Sequence, residues 1–156
     1  MTGLRAVVFG ATGGIGAALV AQLEQSGRYG EIHAGGRKLP EAAQLATLPF
    51  TFDLADEASI ARSAQAIGAA GPVDLVIVAT GMLQGAGPQM PERSWRFLDA
   101  DAMGRVFAIN TFGPALIAKH ILPHMRRDGR SVFAALSARV GSIADNRSGG
   151  WHSYRA

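Results

Sequence analysis

The sequence predicts an α/β protein built on a doubly wound parallel sheet, and three observations lead to this prediction. Leu4–Phe9 is an almost unbroken apolar run, as expected of a strand buried on both faces. Five strand-like runs follow one another along the chain with helical segments between them. No sequence typical of a β-hairpin turn separates them. This alternation predicts parallel strands joined by helical crossovers, with ligands at the carboxyl ends of the strands.

The first strand turns through glycines into a helix that is predicted to end near Gly27. Leu19, Val20 and Leu23 indicate the helix, because they follow Ile15 at helical spacing. Glycines let the backbone approach a pyrophosphate closely, and the helix start offers N–H groups to phosphates. The predicted cofactor-binding residues of this turn are Gly10, Thr12, Gly13, Gly14, Ile15 and Gly16. The alternative is a tight turn that binds no ligand.

A short second strand, Glu31–Gly35, is followed by Arg37 and Lys38. In a dinucleotide fold, an acidic residue at this point binds the adenosine 2′-hydroxyl of NAD, whereas arginine suits the additional phosphate of NADP. The sequence has no acid there, and a guanidinium can bind phosphate through two hydrogen bonds. Arg37 therefore predicts NADP(H) in preference to NAD(H). The alternative is a solvated loop charge.

The third strand is predicted at Phe50–Phe52, after a weak helix from Pro40 to about Leu48. Asp53 and Leu54 follow the strand and are predicted to contact the cofactor. Asp53 could accept a hydrogen bond from an adenine amino group, or it could cap the helix predicted at Glu57–Ala69. The sequence leaves both alternatives open.

The fourth strand is predicted at Val73–Val78 and ends in three small residues. Small side chains there would let the nicotinamide side of a cofactor lie against the backbone. The predicted cofactor contacts are Ala79, Thr80 and Gly81. Residues 82–93 contain glycines and prolines and are predicted to form a loop.

A long helical stretch, broken or continuous, is predicted at 99–125. Its apolar residues cover more than one narrow face, so part of it is expected to contact another subunit in a homo-oligomer. A fully buried helix is the alternative. The fifth strand is predicted at Ser131–Leu136 and ends at Ser137.

Composition limits the function classes. The 156 residues are expected to form one domain, 1–156, with 48% hydrophobic and 17% charged residues. The net charge of +3 is scattered, so nucleic-acid binding is not expected. No signal peptide or membrane span is recognised and cysteine is absent, so a cytoplasmic location is expected. The four histidines lack carboxylates at ligand spacing, so no metal site is expected.

These motifs, in this order, resemble those of the short-chain dehydrogenase/reductase family, especially its small carbonyl-reductase and C-factor-like members. The glycine turn resembles the family's cofactor motif, Asp53 its adenine-side aspartate, and Ala79–Gly81 its Asn-Ala-Gly segment. The residues that resemble its active-site asparagine, serine and tyrosine are Asn110, Ser137 and Tyr154. The resemblance runs over the whole chain and implies a Rossmann fold.

The resemblance also implies hydride transfer between a nicotinamide and a small-molecule carbonyl or secondary alcohol. Tyr154 would exchange a proton with the substrate oxygen, Ser137 would orient that oxygen, and Asn110 would hold a water of the proton relay. Phenols ordinarily titrate at about pH 10, so a neighbouring cation is needed near neutral pH. Alternatively, Asn110 could bond the backbone where its helix breaks, and Ser137 could cap a loop.

Three departures from the family pattern qualify this expectation. The family's lysine, four residues after the tyrosine, would fall two residues beyond Ala156. We therefore expect the N-terminal portion of a longer reductase, without the family's last strands and helices, and doubtful activity of this chain alone. Ser137 lies four residues further from Tyr154 than is usual, which leaves Ser142 as a second candidate serine. Ala79 and Thr80 replace the usual asparagine. The alternative function is a non-catalytic dinucleotide-binding or C-factor-like signalling protein.

Overall fold

The computed structural model describes residues 3–39, 47–83 and 90–156. Its strands are β1 (Leu4–Phe9), β2 (Tyr29–Gly36), β3 (Thr47–Thr51), β4 (Leu75–Val78) and β5 (Val132–Ala135). Its α-helices are α1 (Gly14–Gln25), α2 (Glu57–Ala69), α3 (Ala100–Phe107), α4 (Gly113–Ile121) and α5 (His152–Arg155). A π-helical segment, Ala108–Phe112, joins α3 to α4. Short 3₁₀ turns lie at Trp95–Phe97, Leu122–His124 and Arg139–Gly141.

The five strands form one parallel sheet in the order β3-β2-β1-β4-β5. The chain therefore winds outward from β1 through β2 to β3, then returns across β1 to place β4 and β5 on its other side. Such a reversal opens a crevice beyond the carboxyl ends of β1 and β4, where the backbones of the two following segments diverge. The predicted doubly wound α/β fold is confirmed.

The boundary between the weak helix and the third strand was predicted wrongly. The weak helix was predicted to extend to about Leu48, but Thr47 and Leu48 belong to β3 and pair with Ile32 and His33 of β2. The Thr47 hydroxyl also donates a hydrogen bond to the Glu24 carboxylate on α1. This long-range pairing is stronger than the local helical preference. The rest of that predicted helix, 40–46, lies outside the described residues.

Strand β1 lies in the middle of the sheet, which explains its apolar sequence. Its side chains alternate between the two faces of the sheet. Val7 and Phe9 belong to the core on the face covered by α2 and α4, whereas Ala6 and Val8 belong to the core on the α1 face. A strand covered on both faces has no solvated side for polar residues.

The long helical stretch continues without a gap from Ala100 to His124, and its hydrogen-bonding pattern changes from α-helical to π-helical in the middle. Asp99 begins it, since its carboxylate accepts a hydrogen bond from the Ala102 N–H at 2.8 Å. Within the described ranges, no helix is long and apolar enough to cross a membrane. The same ranges contain no cluster of three or more histidine and acidic side chains that could hold a metal ion.

A buried polar cluster surrounds Arg5 near the end of α2. The Arg5 guanidinium donates hydrogen bonds to the Ile67 carbonyl at 2.9 Å and to His33 Nε2 at 3.0 Å, and its Nε donates to Glu31 at 2.8 Å. Because a guanidinium can only donate, His33 Nε2 accepts and the ring is neutral. Burial of the ring and the neighbouring positive charge of Arg5 both lower the pKa of His33.

We expect this cluster to make stability depend on pH. As pH falls below the ordinary histidine pKa of about 6.5, the unfolded chain takes up a proton that the folded chain refuses, so the free energy of unfolding decreases. Denaturant unfolding at pH 5–8 measures this slope. His33→Gln, which retains an acceptor for Arg5, should flatten the slope in this window. An unchanged slope in His33→Gln would contradict the assignment.

Candidate functional site

A cleft of about 1040 Å³ opens beyond the carboxyl ends of β1, β4 and β5. Nine of the predicted site residues line it: Gly13, Gly14, Ile15, Ala79, Thr80, Gly81, Asn110, Ser137 and Tyr154. They come from five separate parts of the sequence. The fold therefore brings the predicted nicotinamide-side and catalytic residues to one place.

The glycines of the turn after β1 have two different roles. Gly10 has a φ of +90°, and a Cβ there would lie 2.9 Å from the backbone at Ala79 and Thr80. A Cβ at Gly16 would lie 2.1 Å from the Gly10 carbonyl oxygen. These two glycines are required by backbone packing. Gly14, in contrast, has no atom within 4 Å of an added Cβ, so packing alone does not require glycine there.

The start of α1 faces the cleft with its backbone donors uncapped. Gly13 is the N-cap residue and provides no side-chain hydrogen bond, and the first turn contains no acidic residue. The first N–H groups of an α-helix have no partner within the helix. Together with the positive end of the helix dipole, such N–H groups can bind an anionic group such as a phosphate.

Thr80 provides a second indication of a ligand. Its hydroxyl oxygen is buried and has no hydrogen-bond partner within the described part of the chain, although Thr80 lines the cleft. A buried hydroxyl without a partner is costly. The uncapped α1 start, the open space at Gly14 and this hydroxyl all fit a dinucleotide that runs from β1 to β4.

Arg37 and Asp53 lie outside this cleft, in a groove of about 600 Å³ at the ends of β2 and β3. Asp53 Oδ1 accepts a hydrogen bond from the Ala55 N–H at 2.9 Å. The cap of α2 is Asp56, whose carboxylate accepts from the Ala58 N–H at 3.0 Å, so the alternative of Asp53 as the helix cap was wrong. An adenine contact for Asp53 stays a prediction.

Four predicted cofactor contacts line neither cavity: Gly10, Thr12, Gly16 and Leu54. The Leu54 side chain is buried and packs where a Cβ on Gly113 would meet it at 3.0 Å. Thr12 lies over Gly36, where an added Cβ would be 2.7 Å from its methyl group. The Leu54 side chain is therefore part of the core, whereas the exposed Thr12 side chain packs against Gly36, and cofactor contacts by these two residues stay predictions.

Asn110 lies in the π-helical segment and ties it to the chain that follows β4. Its Oδ1 accepts from the Met82 N–H and its Nδ2 donates to the Met82 carbonyl, both at 2.8 Å. Asn110 therefore bonds the backbone where the helix changes its hydrogen-bonding pattern, which is the alternative role given above from the sequence. The predicted relay water on Asn110 stays a prediction.

Ser137 lies two residues after the end of β5 and is exposed to the cleft. Ser142 also lines the cleft, but its hydroxyl accepts a hydrogen bond from the Asp145 N–H at 3.3 Å. Ser137 makes no side-chain hydrogen bond in the part of the chain that is described. Ser137 is therefore the hydroxyl more available to a ligand.

Tyr154 lies on α5, after a turn of unusual backbone conformation. Gly149, Gly150 and Trp151 have φ values of +60°, +67° and +54°. Arg155 stabilises the turn by donating hydrogen bonds to the Gly149, Gly150 and Val140 carbonyls, at 3.2, 2.8 and 2.5 Å. This contribution of Arg155 was not predicted, although its position beside Tyr154 was a signal.

Glu92 was also not predicted as a site residue, and no local sequence pattern indicated such a role. Its carboxylate accepts a hydrogen bond from the Ser153 hydroxyl, and its backbone carbonyl accepts from the Trp151 N–H at 2.6 Å. Some sixty residues separate these partners along the chain. Only the tertiary fold places Glu92 beside the tyrosine segment.

Comparison with known proteins gives concordant results. A family model described as short chain dehydrogenase matches residues 5–154. Cis-4-hydroxycyclohexanecarboxylate dehydrogenase of Sinomonas cyclohexanicum is 31% identical over 97% of this chain and 61% of that protein. C-signal of Myxococcus xanthus is 36% identical over 37% of this chain and 35% of that protein. The structure of NADPH-bound carbonyl reductase from chicken fatty liver has a TM-score of 0.80 at 21% identity, over 99% of this chain and 66% of that one. This chain spans 61% of the length of the first relative.

Proposed function

The chain belongs to the short-chain dehydrogenase family, and from this premise we propose an NADP(H)-dependent oxidoreductase that acts on a carbonyl or secondary alcohol. One observation carries the proposal: a single cleft is lined by the start of α1, by Thr80, by Ser137 and by Tyr154. The first two can hold a dinucleotide, and the last two provide hydroxyl groups for a substrate oxygen. The activity is proposed for the protein that contains this chain.

The residues have distinct roles in this reaction. Bound NADPH supplies the hydride that is added to the carbonyl carbon. Tyr154 donates its phenolic proton to the carbonyl oxygen, so that the carbonyl becomes an alcohol, and takes a proton back in oxidation. Ser137 donates a hydrogen bond to the same oxygen and fixes its orientation. Asn110, bonded to Met82, holds the chain after β4 against the long helix.

Hydride transfer is the direct test. The purified protein, with its intact mass measured, is titrated with NADPH while tryptophan fluorescence is followed, and the loss of NADPH absorbance is then measured with aldehydes and quinones. Consumption of NADPH that depends on both protein and carbonyl supports the proposal. Binding without consumption would favour the second candidate, a non-catalytic dinucleotide-binding protein, which the similarity to C-signal keeps open.

A preference for NADP(H) over NAD(H) is the finer part of the proposal, and it rests on Arg37 at the end of β2. We expect Arg37→Ala to weaken NADPH binding roughly tenfold or more, because a charge-assisted phosphate contact is lost, and to leave NADH binding unchanged. Fluorescence titrations with the two cofactors measure this difference. The control is Arg105→Ala, which removes an exposed arginine of α3. Equal losses for NADPH and NADH would contradict a role in phosphate recognition.

We also propose a homo-oligomer through the long helical stretch, and a cytoplasmic location. Phe112 and Leu122 support the first proposal, because their side chains are 58% and 48% exposed on that stretch. Sedimentation equilibrium tests it, and a monomer at all protein concentrations would contradict it.

A further inference from the structure

The segment that carries Tyr154 is bonded to a carboxylate from a distant part of the chain. Both oxygens of Glu92 face Ser153: one accepts from its hydroxyl, and the other accepts from its N–H at 3.4 Å. Ser153 is 4% exposed, so water does not compete for this contact. Because Ser153 directly precedes Tyr154, a displacement of Ser153 also moves Tyr154.

The Glu92 backbone makes a third contact with the same segment. Its carbonyl accepts from the Trp151 N–H at 2.6 Å, and a Cβ on Gly150 would lie 3.0 Å from this carbonyl oxygen. Trp151 is the only non-glycine residue with positive φ in the described ranges. Such a conformation is unfavourable for tryptophan and persists only where neighbouring contacts impose it.

The charge state of Glu92 suits this arrangement. Burial alone would raise the pKa of Glu92, but the hydrogen bonds from the Ser153 side chain and from backbone N–H groups outweigh burial and lower the pKa. Glu92 is therefore ionised near neutral pH. An ionised carboxylate is an acceptor through both oxygens, as two donors on one residue require.

We propose that Glu92 is a positioning residue for Tyr154: through Ser153 and Trp151 it holds the tyrosine hydroxyl where a substrate oxygen can receive its proton. The inference rests on the proposed function. Its structural part, that Glu92 orders this segment, is independent of turnover. Displacement of a reacting group by about 1 Å can reduce a rate roughly 100-fold, so a positioning contact has a measurable effect.

The experiment compares Glu92→Gln, Ser153→Ala and the double variant in a Trp95→Phe background. Glu92→Gln keeps the size of the side chain but replaces one acceptor oxygen with a donor. Near-ultraviolet circular dichroism then reports Trp151, whose ring centroid lies 6.3 Å from that of Tyr154. Steady-state kinetics give kcat and KM, and thermal unfolding gives stability. Asp101→Asn, which neutralises an exposed carboxylate at the start of α3, is the matched control.

We expect Glu92→Gln to lower kcat roughly 10- to 100-fold with little change in the KM for NADPH, and to reduce the Trp151 signal. The double variant should lose no more kcat than Glu92→Gln alone, because both substitutions remove the same contact between Glu92 and Ser153. Additive losses, or an unchanged Trp151 signal, would overturn the proposal. A parallel loss of stability and of NADPH binding would also overturn it, by showing a general structural role. If the parent protein transfers no hydride, the proposed function fails, and the Trp151 signal still decides the structural part.

Discussion

Gly14→Ala is expected to weaken NADPH binding roughly tenfold or more while the protein stays folded. An added Cβ at Gly14 meets no protein atom within 4 Å, and Gly14 lines the cleft at the start of α1. Alanine in a helix is also favoured over glycine by about 0.4–1 kcal/mol. The methyl group would instead occupy the space through which a pyrophosphate reaches the backbone N–H groups. Fluorescence titration and thermal unfolding of the same samples measure the two effects.

Gly16→Ala is the matched variant, and it is expected to lower stability as well as binding. Its Cβ would lie 2.1 Å from the Gly10 carbonyl oxygen, so the turn would have to move. Overpacking of this kind costs about 1–3 kcal/mol, and backbone atoms yield less readily than side chains. We therefore expect a lower free energy of unfolding together with weaker binding. Equal stability losses in the two variants, or unchanged NADPH affinity in Gly14→Ala, would contradict the division of roles within this turn.

Tyr154→Phe is expected to lower kcat by roughly 10²- to 10⁴-fold, the usual contribution of a positioned proton donor. The substitution removes only the hydroxyl, and the ring keeps its edge-to-face contact with Trp151. NADPH affinity and thermal stability should therefore change little. Measurement of kcat, of the NADPH dissociation constant and of the unfolding midpoint separates these effects.

Tyr29→Phe provides the control for that experiment. Tyr29 is the other tyrosine of the chain and lies at the start of β2, packed against the core on the α1 face. The Tyr29→Phe variant should retain the parent kcat. If Tyr154→Phe were as active as Tyr29→Phe, the proton would have to come from another group, and the proposed mechanism would be wrong.

The elements that depend on local sequence were predictable. The apolar run of β1, the glycine turn and the helix at Glu57–Ala69 each carry their signal within a few residues. The periodicity of side-chain burial and the backbone freedom of glycine act over this same short distance. For this reason the sequence also indicated which strand ends carry small or polar residues, and hence the position of the cleft.

Local sequence patterns were therefore sufficient to predict the fold class, the order of strands along the chain and nine of the residues that line the cleft. The long-range partners of those residues became evident only from the packed fold. It joins Asn110 to Met82, makes Asp56 rather than Asp53 the cap of α2, and places Glu92 against Ser153. The physical reason is that a hydrogen bond across the fold depends on how separate elements pack, and no pattern in either short segment encodes that packing.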